Sequence, residues 1–204
     1  MSERHPRLQA LLLTLVAGLA DAVGFLTMGG IFAANMTGNT VLAGIALADG
    51  HWELAAHRFI PLVAFFLGAL LARLLLRLTH KPAVPLLLEA ALLAVVGFLP
   101  VGRDIELMIA ALAMGLQASA ITHFGTTAVS TVVVTGTIAR IADAVLDRLW
   151  FAEKRPLPLV ATPRLLMLTW AGYFAGALAG ALLIKAISMP LLIPAALLIV
   201  VIFL

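Results

Sequence analysis

The chain has 204 residues, 63% of them apolar and 11% charged, with a mean hydropathy of +1.14; soluble domains run near half apolar and a quarter charged, so a soluble fold is excluded. Its 13 basic and 10 acidic residues leave a net charge of +3, too small and too scattered between apolar runs for a nucleic-acid surface. The absence of cysteine removes disulfides, thiolate metal sites and cysteine nucleophiles.

Arg4 and Arg7 precede the first apolar run, 8–28, which is about one bilayer crossing at roughly 20 residues. No small-residue cleavage site ends it, so it reads as a retained helix with a cytoplasmic N-terminus rather than as a signal peptide. Asp21 lies too deep in this run to snorkel. It is either a structural carboxyl bonded to a neighbouring Thr or Asn, or a proton-coupling or cation-binding group.

Gly29 and Gly30 interrupt the chain before the second run, 31–48, which contains Asn35-Met36-Thr37-Gly38-Asn39-Thr40. Thr37 or Asn39 is expected to N-cap a short helix and leave its N–H groups and positive dipole end open, as discontinuous transporter helices do for anionic groups. The plainer alternative is that these side chains satisfy backbone freed by the break. Third and fourth runs cover 59–78 and 84–101, and Glu89 in the fourth is expected to pair with Arg73 or Arg77 of the third.

In the fifth run, 105–125, Gln117 stands near the position equivalent to Asp21, with Thr122 and His123 toward its end. The sixth, 128–147, opens on the β-branched stretch Ser130-Thr131-Val132-Val133-Val134-Thr135, which favours extended backbone. Gly136 and Thr137 follow, then a helix-like stretch whose Arg140 and Asp143 alternate with Ile141 and Val145 as an amphipathic helix end. In the runs 164–187 and 189–204, Gly172, Gly176 and Gly180 share one helix face, a signal of close helix contact.

An internal repeat organises these runs. PLLLEAALLAVVGFL from Pro85 matches PLLIPAALLIVVIFL from Pro190 at 11 of 15 positions. Upstream, Phe66-Leu67-Gly68-Ala69-Leu70 answers Phe174-Ala175-Gly176-Ala177-Leu178, Met36-Thr37-Gly38 answers Val134-Thr135-Gly136, and Gly18-Leu19 answers Gly115-Leu116. The expected fold is therefore all-α, a polytopic membrane domain of two homologous halves, 1–101 and 102–204, each with four hydrophobic segments of which one is broken. If the second segments cross fully, there are eight spans and parallel repeats; if they are re-entrant, six spans and inverted repeats. With the N-terminus inside, eight spans place nine of the 13 basic residues inside and six spans place ten, so the charge rule does not choose. Eight is the expectation, which puts the loop 49–57 inside.

Ala17-Gly18-Leu19-Ala20-Asp21-Ala22-Val23-Gly24-Phe25, Met36-Thr37-Gly38-Asn39-Thr40, Met114-Gly115-Leu116-Gln117 and Val134-Thr135-Gly136-Thr137 together resemble the YoaK-like family of bacterial inner-membrane proteins, a domain of unknown function. Ala118 departs from the pattern, since family members often carry Asn there. The resemblance implies a multi-pass protein of the bacterial inner membrane and no particular substrate.

The reading that follows is a secondary transporter or exporter of a small solute, proton-coupled, with a midplane site formed by Asp21, Asn35, Thr37, Gly38, Asn39, Gln117, Thr135, Gly136 and Thr137. A channel for a small ion or solute and a non-transporting scaffold or lipid-interacting subunit are the alternatives. No hydrolase triad, phosphate loop or metal-binding motif occurs, so no enzyme, cofactor or metal is expected. The expected partners are the lipid bilayer and an unidentified solute or ion, with no nucleic acid and with homo-oligomerisation allowed.

Overall fold

A computed structural model of the chain describes residues 5–99, 101–121, 123–124, 127–128, 131, 135–150 and 163–204. In chain order these form α1 (Pro6–Thr27), α2 (Met36–Ala48), α3 (Trp52–Thr79), α4 (Ala83–Phe98), α5 (Arg103–Ala120), α6 (Thr135–Trp150), α7 (Pro163–Ala186) and α8 (Leu192–Phe203). Between α5 and α6 a two-residue antiparallel pair, β1 (His123–Phe124) with β2 (Thr127–Ala128), is the one departure from an all-helical chain among the described residues. The stretch 130–135, read from sequence as extended, lies largely outside the described residues; Thr131 and Thr135 are described.

Among the described residues three helices, α1, α3 and residues 164–186 of α7, are long and apolar enough to cross a bilayer. Down α3 the side chains of Phe59, Val63, Phe66, Leu70 and Leu74 are exposed, and down α7 those of Phe174, Leu178 and Leu182. Rows of this size would be aggregation sites in water and match the solvent in hydrocarbon. The chain is a polytopic helical membrane protein. The core beneath these faces is built from Leu13, Val16 and Ala17 of α1, Leu86 and Leu93 of α4, Ala113 and Met114 of α5, and Leu198 of α8.

Helix–helix contacts run between the halves. α1 packs along α7 and α3 along α5, while α4 lies against both α5 and α8; neither half stands as a separate domain. Glycine sets the closest approaches. A Cβ on Gly18 would collide with the carbonyl of Tyr173 and crowd Ala177 N, and a Cβ on Gly115 would collide with the carbonyl of Phe65 and crowd Ala69 N. Gly176 meets the Leu15 carbonyl as Gly68 meets that of Leu112. The contacts of Gly18 and Gly176 between α1 and α7 therefore have counterparts in those of Gly115 and Gly68 between α5 and α3. In a bilayer, where apolar surface gives helices no reason to associate, such backbone approach is what holds them together.

These contacts also give the helix directions. Leu11 and Thr14 lie against Gly172, Leu15 against Gly176, and Leu19 and Ala22 against Gly180, so α1 and α7 are parallel. At the far end of α1, a Cβ on Gly29 would lie 3.7 Å from the His57 ring, and His57 Nε2 is 2.6 Å from Asp104 Oδ1 at the start of α5. The end of α1, the start of α3 and the start of α5 thus share one face of the bundle. α1 is antiparallel to α3 and to α5.

The expectation of eight full crossings is corrected at α2. After α1 the chain turns through Gly29 and Gly30 at φ of 86° and 73°, a backbone region glycine adopts without strain. It then returns inward until the N–H groups of Ala34 and Asn35 reach Asp21 Oδ1, at 2.6 and 3.1 Å. From that depth α2 runs back to Gly50 and His51, which lead into α3 on the face where α1 ended. Its 13 residues span about 20 Å, short of the roughly 30 Å hydrocarbon layer. α2 is re-entrant, and the loop 49–57 lies on the face opposite the N-terminus rather than with it.

Candidate functional site

Asp21, 2% exposed, sits six residues before the end of α1 and is the centre of the polar site. Both carboxyl oxygens are engaged. Oδ1 accepts the two backbone N–H groups of the re-entrant tip, and Oδ2 accepts the hydroxyl of Tyr173, from α7 in the other half of the chain. Tyr173 was not singled out from sequence. The available signal was its being the sole tyrosine of the chain, placed mid-helix instead of in the interfacial belt where such rings usually sit.

The tip of α2 is closed by its own side chains. Asn35, not Thr37 or Asn39, is the N-cap: its Oδ1 accepts Gly38 N at 3.0 Å. Asn39, fully buried, accepts Phe32 N at 2.9 Å and donates to Phe32 O at 2.8 Å, clamping the descending strand of chain to the first turn of the helix. A Cβ on Gly38 would press on the Phe32 ring and Asn35 Nδ2 at 3.0 Å, so glycine lets the clamp close. Thr37 is exposed and contributes no bond to it. The expected open helix terminus is corrected accordingly. The anionic group at the positive end of α2 is the protein's own Asp21, held by the N–H groups next to the cap.

The second half is built differently. Gln117 is fully buried and donates Nε2 to Leu13 O at 3.0 Å and to Thr131 Oγ1 at 3.1 Å, while its Oε1 has no hydrogen-bond partner among the described residues. Leu13 precedes Asp21 by eight residues, about 12 Å along the helix at 1.5 Å per residue. Asp21 and Gln117 therefore lie in separate layers, and the single midplane site expected of them is corrected to two levels. Thr137 is buried and engaged, whereas Thr135 and Gly136 at the start of α6 are exposed and not gathered around either group.

Glu89 is not paired with Arg73 or Arg77. It is fully buried on α4 and both its oxygens lack a partner among the described residues, while the two arginines are exposed on α3. On the face opposite the N-terminus a cavity of about 340 Å³ opens between Val23 and Thr27 of α1, Gly97 and Phe98 of α4, Glu106 of α5 and the turn at Met189. Leu19, Val23, Ile31, Val96, Leu107 and Leu191 pack as one apolar cluster, of which Val23, Val96 and Leu191 form part of the cavity wall.

Comparison with known proteins agrees with the family resemblance. Residues 9–204 match the family described as protein of unknown function (DUF1275). The chain is 33% identical over 157 residues, 71% of its length and 69% of the relative's, to the UPF0700 transmembrane protein YoaK of Bacillus subtilis (strain 168). No solved structure matches. With its re-entrant tip, glycine-seated helices and buried carboxyl, the chain belongs to the YoaK-like, DUF1275 family of transmembrane proteins.

Proposed function

We propose that this protein is a proton-coupled secondary transporter of a small solute in the bacterial cytoplasmic membrane, its N-terminus in the cytoplasm, with Asp21 as the coupling group. One observation carries the reading: a single buried carboxyl ties the tip of a re-entrant helix in one half to a helix of the other. Hydrogen bonds to a charged acceptor are roughly twice as strong as neutral ones, so taking up a proton weakens all three ties together and frees α2 from α7. The apolar cluster that walls the cavity is the barrier such a change opens. Matched glycine contacts between α1–α7 and α5–α3 support a duplicated unit, and antiparallel α1 and α5 support inverted halves, an arrangement that alternating-access transporters share. Among the described residues Arg7, Arg73, Arg77, Lys81 and Arg164 fall toward the N-terminal face and Arg58, Arg103 and Lys185 away from it, which supports the cytoplasmic N-terminus.

The chain lacks cysteine, so single cysteines report access without background. Val23→Cys in the cavity wall and Ala120→Cys near the opposite face are to be labelled in vesicles with a membrane-impermeant maleimide from each side. In a transporter the two rates change in opposite directions between acid and alkaline pH, and Asp21→Asn removes the change. A channel labels at both positions together, and a scaffold shows no change; either result removes the proposal.

A further inference from the structure

Asp21 and Glu89 are two ionisable groups buried in the bundle, and their surroundings are opposites. Asp21 accepts three donors, whereas neither oxygen of Glu89 has a hydrogen-bond partner among the described residues. No charged group on the elements packed against α4 answers it. α8 carries no ionisable residue, and Arg103, Asp104 and Glu106 of α5 occupy its first turns at the far face. On α3, Glu53, His57 and Arg58 lie near its start, and Arg73 and Arg77 are exposed. α4 itself holds no second ionisable residue.

Depth separates Glu89 from the Asp21 site. Val96 packs in one layer with Leu19 and Val23, which bracket Asp21. Glu89 lies seven residues earlier on α4, about 10 Å further toward the N-terminal face. That is the level at which Gln117 holds Leu13 O and leaves its own Oε1 unmatched. Three buried acceptor oxygens thus lie at about one level without a donor among the described residues, an arrangement that is costly where no water reaches. The matching position of the repeat is Pro194, so the second half provides no carboxyl there.

We propose that Glu89 is a second proton-binding site, separate from Asp21, whose proton exchanges with water across the N-terminal half of the bundle. On loading, an O–H bond forms on one Glu89 oxygen with a proton taken from hydronium, leaving water; on release the same bond breaks and the proton returns to water. The hydrogen neutralises a buried carboxyl that no described donor or cation answers. The inference stands without the transport reading, because it concerns proton occupancy and not solute movement.

Infrared spectra of the full chain in lipid vesicles test it. The expected result is a carboxylic-acid C=O band that shifts in heavy water, disappears in Glu89→Gln and persists in Asp21→Asn. Should Glu89→Gln not fold, the wild-type protein is treated with dicyclohexylcarbodiimide, which adds to a protonated carboxyl in an apolar setting, and an adduct is expected on the peptide carrying Glu89. Spectra in which no acid band is lost with Glu89, or in which that band ignores heavy water, overturn the proposal. So does a Glu89 signal that responds to sodium in place of protons, or an unmodified Glu89 peptide in the carbodiimide experiment.

Discussion

Asp21→Asn is the substitution that separates charge from shape at the centre of the site. An asparagine keeps an oxygen for the two N–H groups of Ala34 and Asn35 and turns its amide toward the Tyr173 hydroxyl, which accepts as readily as it donates. The fold should survive, but with three neutral bonds in place of three charge-assisted ones its melting temperature in detergent should fall below that of the wild type. Tyr173→Phe removes the donor outright and should cost about 1.5–3 kcal/mol, the range for a hydrogen bond to a charged group. Thermal unfolding of both variants checks this; an Asp21→Asn protein as stable as the wild type would show that charge does not hold the tip. Much of this site was legible from the sequence, because an ionisable residue thirteen positions into an apolar run has no innocent place to go. Its partners were not. The donors are backbone N–H groups, which sequence does not distinguish, and a hydroxyl 152 residues away that only the packing of α1 on α7 brings in.

Among the helices, glycine spacing carried more information than hydrophobicity. The four-residue spacing of Gly172, Gly176 and Gly180 announced a close neighbour, and α1 is that neighbour. Which helix it would be could not be read, since the repeat pairs equivalent positions and is silent on exchange between halves. Glu89 shows the same limit: it was matched to Arg73 and Arg77 by proximity in the chain, while the arginines lie on the outer side of α3 and Glu89 on the inner side of α4. The contacts imply a graded test. Gly18→Ala, Gly68→Ala, Gly115→Ala and Gly176→Ala each drive a methyl into a backbone carbonyl that cannot move aside, and each should cost more than the roughly 1–3 kcal/mol of ordinary overpacking. Gly44→Ala on the outer side of α2 meets nothing within 4 Å and should gain about 0.5–1 kcal/mol from helix propensity. Melting temperatures and monodisperse yield across the five variants check it, and similar losses at Gly44 and Gly18 would contradict the packing.

For the whole molecule, the number of segments was readable and their directions were not. An apolar run of 13–18 residues is long enough to enter a bilayer and too short to say whether it leaves on the other side; hydropathy is identical for a crossing and a return. The return of α2 is decided by three groups far apart in sequence: Asp21, which draws the loop back to its own depth, and His57 with Asp104, which fix the starts of α3 and α5 to the face where α1 ended. Topology then follows without reference to the cell. A cysteine at His51, in the turn between α2 and α3, should react with an impermeant maleimide from the face opposite the N-terminus, and a cysteine at Lys81, between α3 and α4, from the same face as the N-terminus. Both residues are exposed, and α3 separates them with 28 residues, about 42 Å at 1.5 Å per residue, so the two labels report opposite sides of the bilayer. A third cysteine at Arg7 supplies the reference face. Were His51→Cys to label from the side that labels Arg7→Cys, α2 would cross the membrane, α1 and α5 would run the same way, and the inverted arrangement on which the alternating motion depends would be lost.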